Sequence, residues 1–210
     1  MDIKIKRLLS YCFGLLLLLL PVVMSSSTSE LFEFNKMLII YLISGTVLCL
    51  WVGRMILAKK IIAEKTILFW PILLLLLSYI CSTLFSIDPH TSLYGYYGRF
   101  DGGFLSIVSY CILYFAFVSN LSDEEAVLRL LKVSLVTAVG VVLWALPGKF
   151  GFDLTCGLFT GHFNNACWTD SFRPTERIFS TLGQPNWLGA YLAIHIPLAL
   201  YFVLEVLKRA

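Results

Sequence analysis

The sequence predicts an all-α fold: a polytopic transmembrane bundle of about six helices, one domain over residues 1–210. Three observations predict it. The chain is 59% hydrophobic and only 14% charged, with a mean hydropathy of +0.84, against about 45–50% apolar and about 25% charged for soluble domains. The apolar residues fall in continuous runs, whereas a β-barrel needs strict alternation. The runs approach the roughly 20 residues that a helix needs to cross about 30 Å of hydrocarbon.

The first run, 8–24, is rich in leucine and follows Lys4, Lys6 and Arg7. A basic start, an apolar stretch and the small residues Ser25 to Ser27 also suit a signal peptide. The further runs that follow favour a span. The second run is 37–53, closed by Arg54, Lys59 and Lys60. The third is 67–86, with Pro71 near its start, where proline is tolerated. The fourth is 103–119. The fifth, 126–146, is introduced by Ser122 and Glu125 at capping-box spacing and stopped by Pro147-Gly148. The sixth, 187–207, ends at Lys208 and Arg209, with Asn186 as its expected N-cap.

Orientation follows from the cations. With the N-terminus inside, the inner segments hold Lys4, Lys6, Arg7, Arg54, Lys59, Lys60, Lys65, Arg129, Lys132, Lys208 and Arg209, eleven of the 16. The outer segments hold Lys36, Arg99, Lys149, Arg173 and Arg177. The expected location is the cytoplasmic (inner) membrane, in contact with membrane lipids. The net charge of +3 is scattered over loops, so no nucleic acid partner is expected. Two outer loops stand out, 87–102 and 147–186. The second exceeds a mere helix connection and is expected to be ordered on the membrane face.

Cys12, Cys49, Cys81 and Cys111 lie in apolar runs and are expected to be inert packing residues. Cys156 and Cys167 share the long outer loop, on the oxidising side, and are expected to form a disulfide. Trp51, Trp70, Trp144 and Trp187 lie near span ends and read as an interfacial belt.

Loop 87–102 with its flanks reads SIDPHTSLYGYYGRFDG over residues 86–102. Its Arg99 has two readings. A guanidinium suits bidentate phosphate binding, or Arg99 pairs with Asp88 or Asp101 and snorkels. The long loop ends in RIFSTLGQPNWLGAY over 177–191. Arg173, Arg177, Ser180, Thr181, Gly183 and Asn186 gather before a helix whose N-terminus favours anions. The alternative is a plain turn at Gly183-Gln184-Pro185 with solvated arginines.

These two blocks resemble the O-antigen ligase and O-antigen polymerase family of membrane glycosyltransferases. Residues 86–102 resemble the family's outer loop with Asp-Pro, Tyr-Gly and Arg-x-x-Gly. Residues 177–191 resemble its arginine-led Gly-x-Pro-Asn segment, with Gln184 where many members carry Asn. The resemblance covers roughly 65–205 and implies a C-type glycosyltransferase fold. It further implies transfer of a glycan from an undecaprenyl-diphosphate-linked glycan to an outer-face acceptor, without metal or cofactor. Arg177 matches the motif arginine best and Arg99 second, so these two, with Asn186, are the expected substrate-binding residues; no role carries over to Arg173. The family's activating histidine sits in a later outer loop, so the chain is expected to be the N-terminal part of a larger bundle. His90 and His162 read as loop residues. His195, nine residues into the sixth run, reads either as an intramembrane functional group or as a neutral histidine bonded to a carbonyl loosened by Pro197. The rival function is a non-enzymatic transporter or scaffold subunit. A transporter would show paired interrupted helices with mid-membrane polar groups, and the polar residues here cluster at one outer face.

Overall fold

The computed structural model describes residues 2–28, 30–164, 167–168 and 173–209. Its regular structure is helical, and the described residues hold no strand. The helices are α1 (Asp2–Leu19), α2 (Glu33–Ala58), α3 (Phe69–Leu84), α4 (Pro89–Tyr94), α5 (Phe104–Asn120), α6 (Glu124–Lys149), α7 (Leu154–Thr160) and α8 (Pro185–Arg209), with a 3-10 turn at Ser180–Leu182. Glu33–Ala58, Glu124–Lys149 and Pro185–Lys208 are long and apolar enough to cross a membrane; Phe69–Leu84 and Phe104–Asn120 are shorter apolar helices. The first apolar run is displaced toward the chain start, because α1 takes in Asp2, Lys4, Lys6 and Arg7.

The six longer helices run up and down, so two ends can be distinguished. The lower end holds the start of α1. There the Arg54 guanidinium, buried at the foot of α2, donates from Nε to Asp2 at 2.5 Å and from Nη1 to Asn120 at 2.6 Å. Asn120 in turn donates to the Ala116 carbonyl at 2.7 Å. Three chain segments are thus tied by one cation, and its burial is met by a carboxylate and an amide, as a buried charge requires. The same guanidinium holds the Asp2 carboxyl below its usual value of 3.8.

The core lies between α1, α2, α5 and α6, around Leu9, Phe13, Ile43, Val47, Ala116, Leu121 and Leu130. Phe13 meets Phe117 edge to face at 5.2 Å, an arrangement that suits the aromatic quadrupole. Gly14 brings α1 against α6; a Cβ there would touch Leu130 at 3.5 Å. By contrast α3 has no buried residue, and α8 leaves Ile194, Leu200, Val203 and Leu207 more than half exposed. Helices apolar all round that bury so little suit an apolar solvent.

Several local expectations are corrected. Asp123, not Ser122, caps α6, accepting from Ala126 N–H at 3.3 Å. Pro147 does not stop α6, which runs through it to Lys149. Asp88-Pro89 starts a short helix: the Asp88 carboxylate accepts from the N–H groups of His90 and Thr91. Hydrogen bonds from Thr91 hold its carboxyl below its usual value. The carbonyl that meets His195 is that of Tyr191, at 2.8 Å from Nδ1, rather than one freed by Pro197. Nδ1–H donating there leaves Nε2 to accept from the Ser134 hydroxyl, also at 2.8 Å. Both polar groups are buried between α6 and α8 and mutually satisfied.

Candidate functional site

The two outer blocks meet at the upper end, where α1, α3 and α6 finish and α2, α5 and α8 begin. Between them lies a cavity of about 430 Å³, walled by Leu20, Pro21, Met37, Ile40, Leu182 and Trp187, with Glu33, Lys36, Asp101, Tyr110 and Tyr191 as its polar lining. An apolar cleft with a few convergent polar groups is the usual form of a ligand site.

The loop 95–103 is shaped by its glycines. Gly95 has φ +91, a region other residues rarely adopt, and its backbone abuts Asp101 and Gly103. The Tyr96 N–H closes the loop onto the Asp101 carbonyl at 2.9 Å. Phe100, at φ 57, offers its carbonyl to the Tyr41 hydroxyl at 2.6 Å. Asp101 is thereby set beside Tyr110, whose hydroxyl donates to it at 3.2 Å.

The second block is fastened by its hydroxyls. Ser180, at φ 55, donates to the Val141 carbonyl at 2.7 Å, and Thr181 to the Pro21 carbonyl at 2.6 Å. Both side chains are buried, so they hold the backbone in place and are not ligand groups. Gly183, at φ +85, lies against the Phe32 ring, which leaves no room for a Cβ. Non-glycine residues at positive φ cost about 1–2 kcal/mol, and such strain collects at functional sites; Phe100 and Ser180 sit one on each side of this cavity.

Lys36 is the feature that the sequence passed over as one more outer cation. Its Nζ donates to the Thr181 carbonyl at 2.6 Å and lies over the Phe32 ring, 6.0 Å from the centroid. Arg99 pairs with Glu33 at 3.0 Å rather than with Asp88 or Asp101.

Arg177 donates to the Asn186 side-chain oxygen at 3.1 Å. Asn186 is not the N-cap: α8 begins at Pro185, where proline suits a first turn. Neither Arg99 nor Arg177 lines the cavity. Each is tied to its edge, Arg99 through Glu33 in the wall and Arg177 through Asn186 beside Trp187. Arg173 pairs instead with Glu176 at 3.2 Å.

The long loop carries a second brace. Cys156 and Cys167 are joined as a disulfide, with Cα atoms 5.8 Å apart. Asp153 caps α7 and accepts from the Trp168 indole N–H at 2.7 Å. Trp168 then stacks on Phe32 at 6.1 Å and meets Phe179 edge-on at 4.9 Å. The tryptophans serve separate roles: Trp144 donates to Thr155 at 3.0 Å, Trp51 to the Ile62 carbonyl at 2.8 Å, and Trp70 is exposed. Among the described residues no group of three His, Cys, Asp or Glu gathers to hold a metal ion.

Comparison of the chain with protein-family models, curated proteins and solved structures finds no match to any of the three.

Proposed function

We propose that this chain spans the cytoplasmic membrane six times, N-terminus inside, and binds the diphosphate of a polyprenyl-linked glycan at its upper end for transfer to an outer-face acceptor. The observation that carries the reading is the cavity between the two outer blocks. Its apolar wall suits an isoprenoid. The half-buried cation of Lys36 and the two arginines at its rim suit a diphosphate, and the resemblance of the two blocks to the ligase and polymerase family supports the same substrate. The Tyr191 hydroxyl, buried without a partner, is a donor that a polar ligand would satisfy.

Transfer breaks the bond between the anomeric carbon and a phosphate oxygen and forms one to the acceptor oxygen. The diphosphate leaves with the bonding electrons. Fixed cations in a site of low dielectric stabilise that developing charge. Glu33 and Asp101 are the carboxylates in the cavity wall that can take the acceptor proton. A transporter would need free polar groups at mid-membrane, and the buried Ser134–His195 pair has its bonding needs met within the bundle.

Donor binding tests the proposal. Hydrogen bonds to charged groups are worth about 1.5–3 kcal/mol, and lysine lacks the fork of arginine. Arg177→Lys and Lys36→Gln are each expected to weaken binding of a polyprenyl diphosphate at least tenfold, with Lys60→Gln at the lower end unchanged. Lys149 is no neutral comparison, since it donates to the Thr175 carbonyl at 2.7 Å. Equal donor affinity in all three variants would remove the proposal.

Topology has its own test, by labelling single-cysteine variants in intact cells. Cysteine at Ser26 is expected to react from outside and cysteine at Lys60 to be shielded. Outside labelling at Lys60 would overturn the orientation.

A further inference from the structure

At the lower end, remote from the site above, a second cavity of about 290 Å³ opens between the start of α1 and the junction of α5 with α6. Lys6, Arg7 and Arg129 line it, together with the hydroxyl residues Ser10, Tyr11 and Ser122. Asp123 is its one carboxylate, and that group is engaged in capping α6. None of the three cations is in an ion pair among the described residues. Three positive charges and three hydroxyls in one pocket, with a single carboxylate already committed to a backbone N–H, form a receptor for a phosphate ester. The first turn of α6 adds the positive end of its dipole.

What leads away from the pocket decides which phosphate ester it takes. Along α1 the exposed side chains beyond Tyr11 are Leu15 and Leu18, at helical spacing. Along α6 those beyond Arg129 are Lys132, which lies over the Phe202 ring, and then Val136, Val139, Val142, Leu143 and Leu146. The faces are polar near the pocket and turn apolar above it, from Leu15 on α1 and from Val136 on α6. That is the outline of a headgroup with acyl chains laid against a bundle. Basic pockets between helices on the cytoplasmic side of a membrane hold anionic headgroups in this manner.

We propose that this pocket binds the headgroup of an anionic phospholipid of the inner leaflet, its acyl chains running along α1 and α6. The proposal rests on the membrane orientation given above and is independent of the glycan-transfer reading. The bound lipid fastens α1 to α6 at the lower end.

The test is binding of short-chain phosphatidylglycerol to the full chain in a neutral detergent, with short-chain phosphatidylcholine and inorganic phosphate as parallel arms. Each near-surface cation is worth about fivefold in affinity for an anionic membrane. Arg7→Gln with Arg129→Gln is therefore expected to weaken phosphatidylglycerol binding by about thirtyfold, whereas Lys59→Gln with Lys60→Gln, at the same end but outside the pocket, leaves it unchanged. Phosphatidylcholine and phosphate should bind far more weakly to the wild type. Equal loss in both double variants would mean diffuse charge and would overturn the pocket. Equal affinity for phosphate would overturn the lipid. If the Arg7/Arg129 variant does not fold, the wild type decides alone: no preference for phosphatidylglycerol over phosphatidylcholine at low salt overturns the proposal. Failure of the topology labelling would read out separately, as reaction at residue 60 from outside.

Discussion

Gly95→Ala is expected to dismantle the first outer loop. A Cβ at this position would stand 2.6 Å from the Asp101 carbonyl carbon and 2.8 Å from the Gly103 nitrogen, and nearer still to the Asp101 carbonyl oxygen. These are backbone atoms, so no side chain can swing aside. The φ of +91 adds strain of its own. Something must move, and the candidates are the segments that set Asp101 in the cavity and Phe100 under Tyr41. The expected cost is more than about 4 kcal/mol, the range reserved for a broken core or backbone constraint. Donor binding should be lost with it. Gly98→Ala is the informative comparison: φ is +82 there, but a Cβ would meet nothing within 4 Å. It should cost only about 1–2 kcal/mol. Thermal unfolding of the two variants in detergent measures the difference, and similar melting temperatures would refute the steric account.

Removing the disulfide is expected to produce the next largest loss. The bridge closes a loop with sequence separation 11, for which the chain-entropy account gives about 3 kcal/mol. Cys156 is fully buried, and Cys167 neighbours Trp168. The double change Cys156→Ala, Cys167→Ala therefore frees the residue that stacks on Phe32 and leaves the cap of Asp153 without its indole partner. Denaturation with and without the bridge measures the stability term. Tryptophan emission should shift to the red as Trp168 gains water. Unchanged stability together with unchanged emission would show that the aromatic packing holds the loop unaided.

The helices were legible because apolar runs of span length leave few alternatives, and because most breaks fall at Pro, Gly and charge, Pro147-Gly148 inside α6 being the exception. Their ends were less so. Ser122 and Asp123 are both good caps, and only the backbone geometry chooses Asp123. The six residues of α4 carry no periodicity that could announce them; their one signal is Asp88-Pro89, inside a segment expected to be a loop. The two outer blocks were visible as clusters of Gly, Arg and Tyr, and the up-and-down chain path brings both to one cavity. The chemistry inside those clusters was not visible. Ser180 and Thr181 looked like ligand groups and are spent on backbone carbonyls. Arg99 looked to its neighbours and found Glu33, which belongs to another connection. Lys36 was hidden for the same reason. Its burial comes from Thr181 and Phe32, and nothing within a few residues of it distinguishes it from Lys149.

The cluster of Arg54 with Asp2 and Asn120 has a consequence for the order in which the chain is made. Asp2 leaves the ribosome among the first residues, but its partner follows 52 positions later. The amide that completes the set lies a further 66 positions on. Until Arg54 is made the first helix lacks this anchor at its lower end, and until Asn120 is made the guanidinium has its bonds to Asp2 alone. The tie between α1 and α2 is therefore incomplete through the making of α3 and α4, and is completed when the end of α5 arrives. A nascent chain arrested before residue 120 should accordingly hold its first helix less firmly than one arrested after it, as crosslinking between positions 2 and 54 at successive lengths would register.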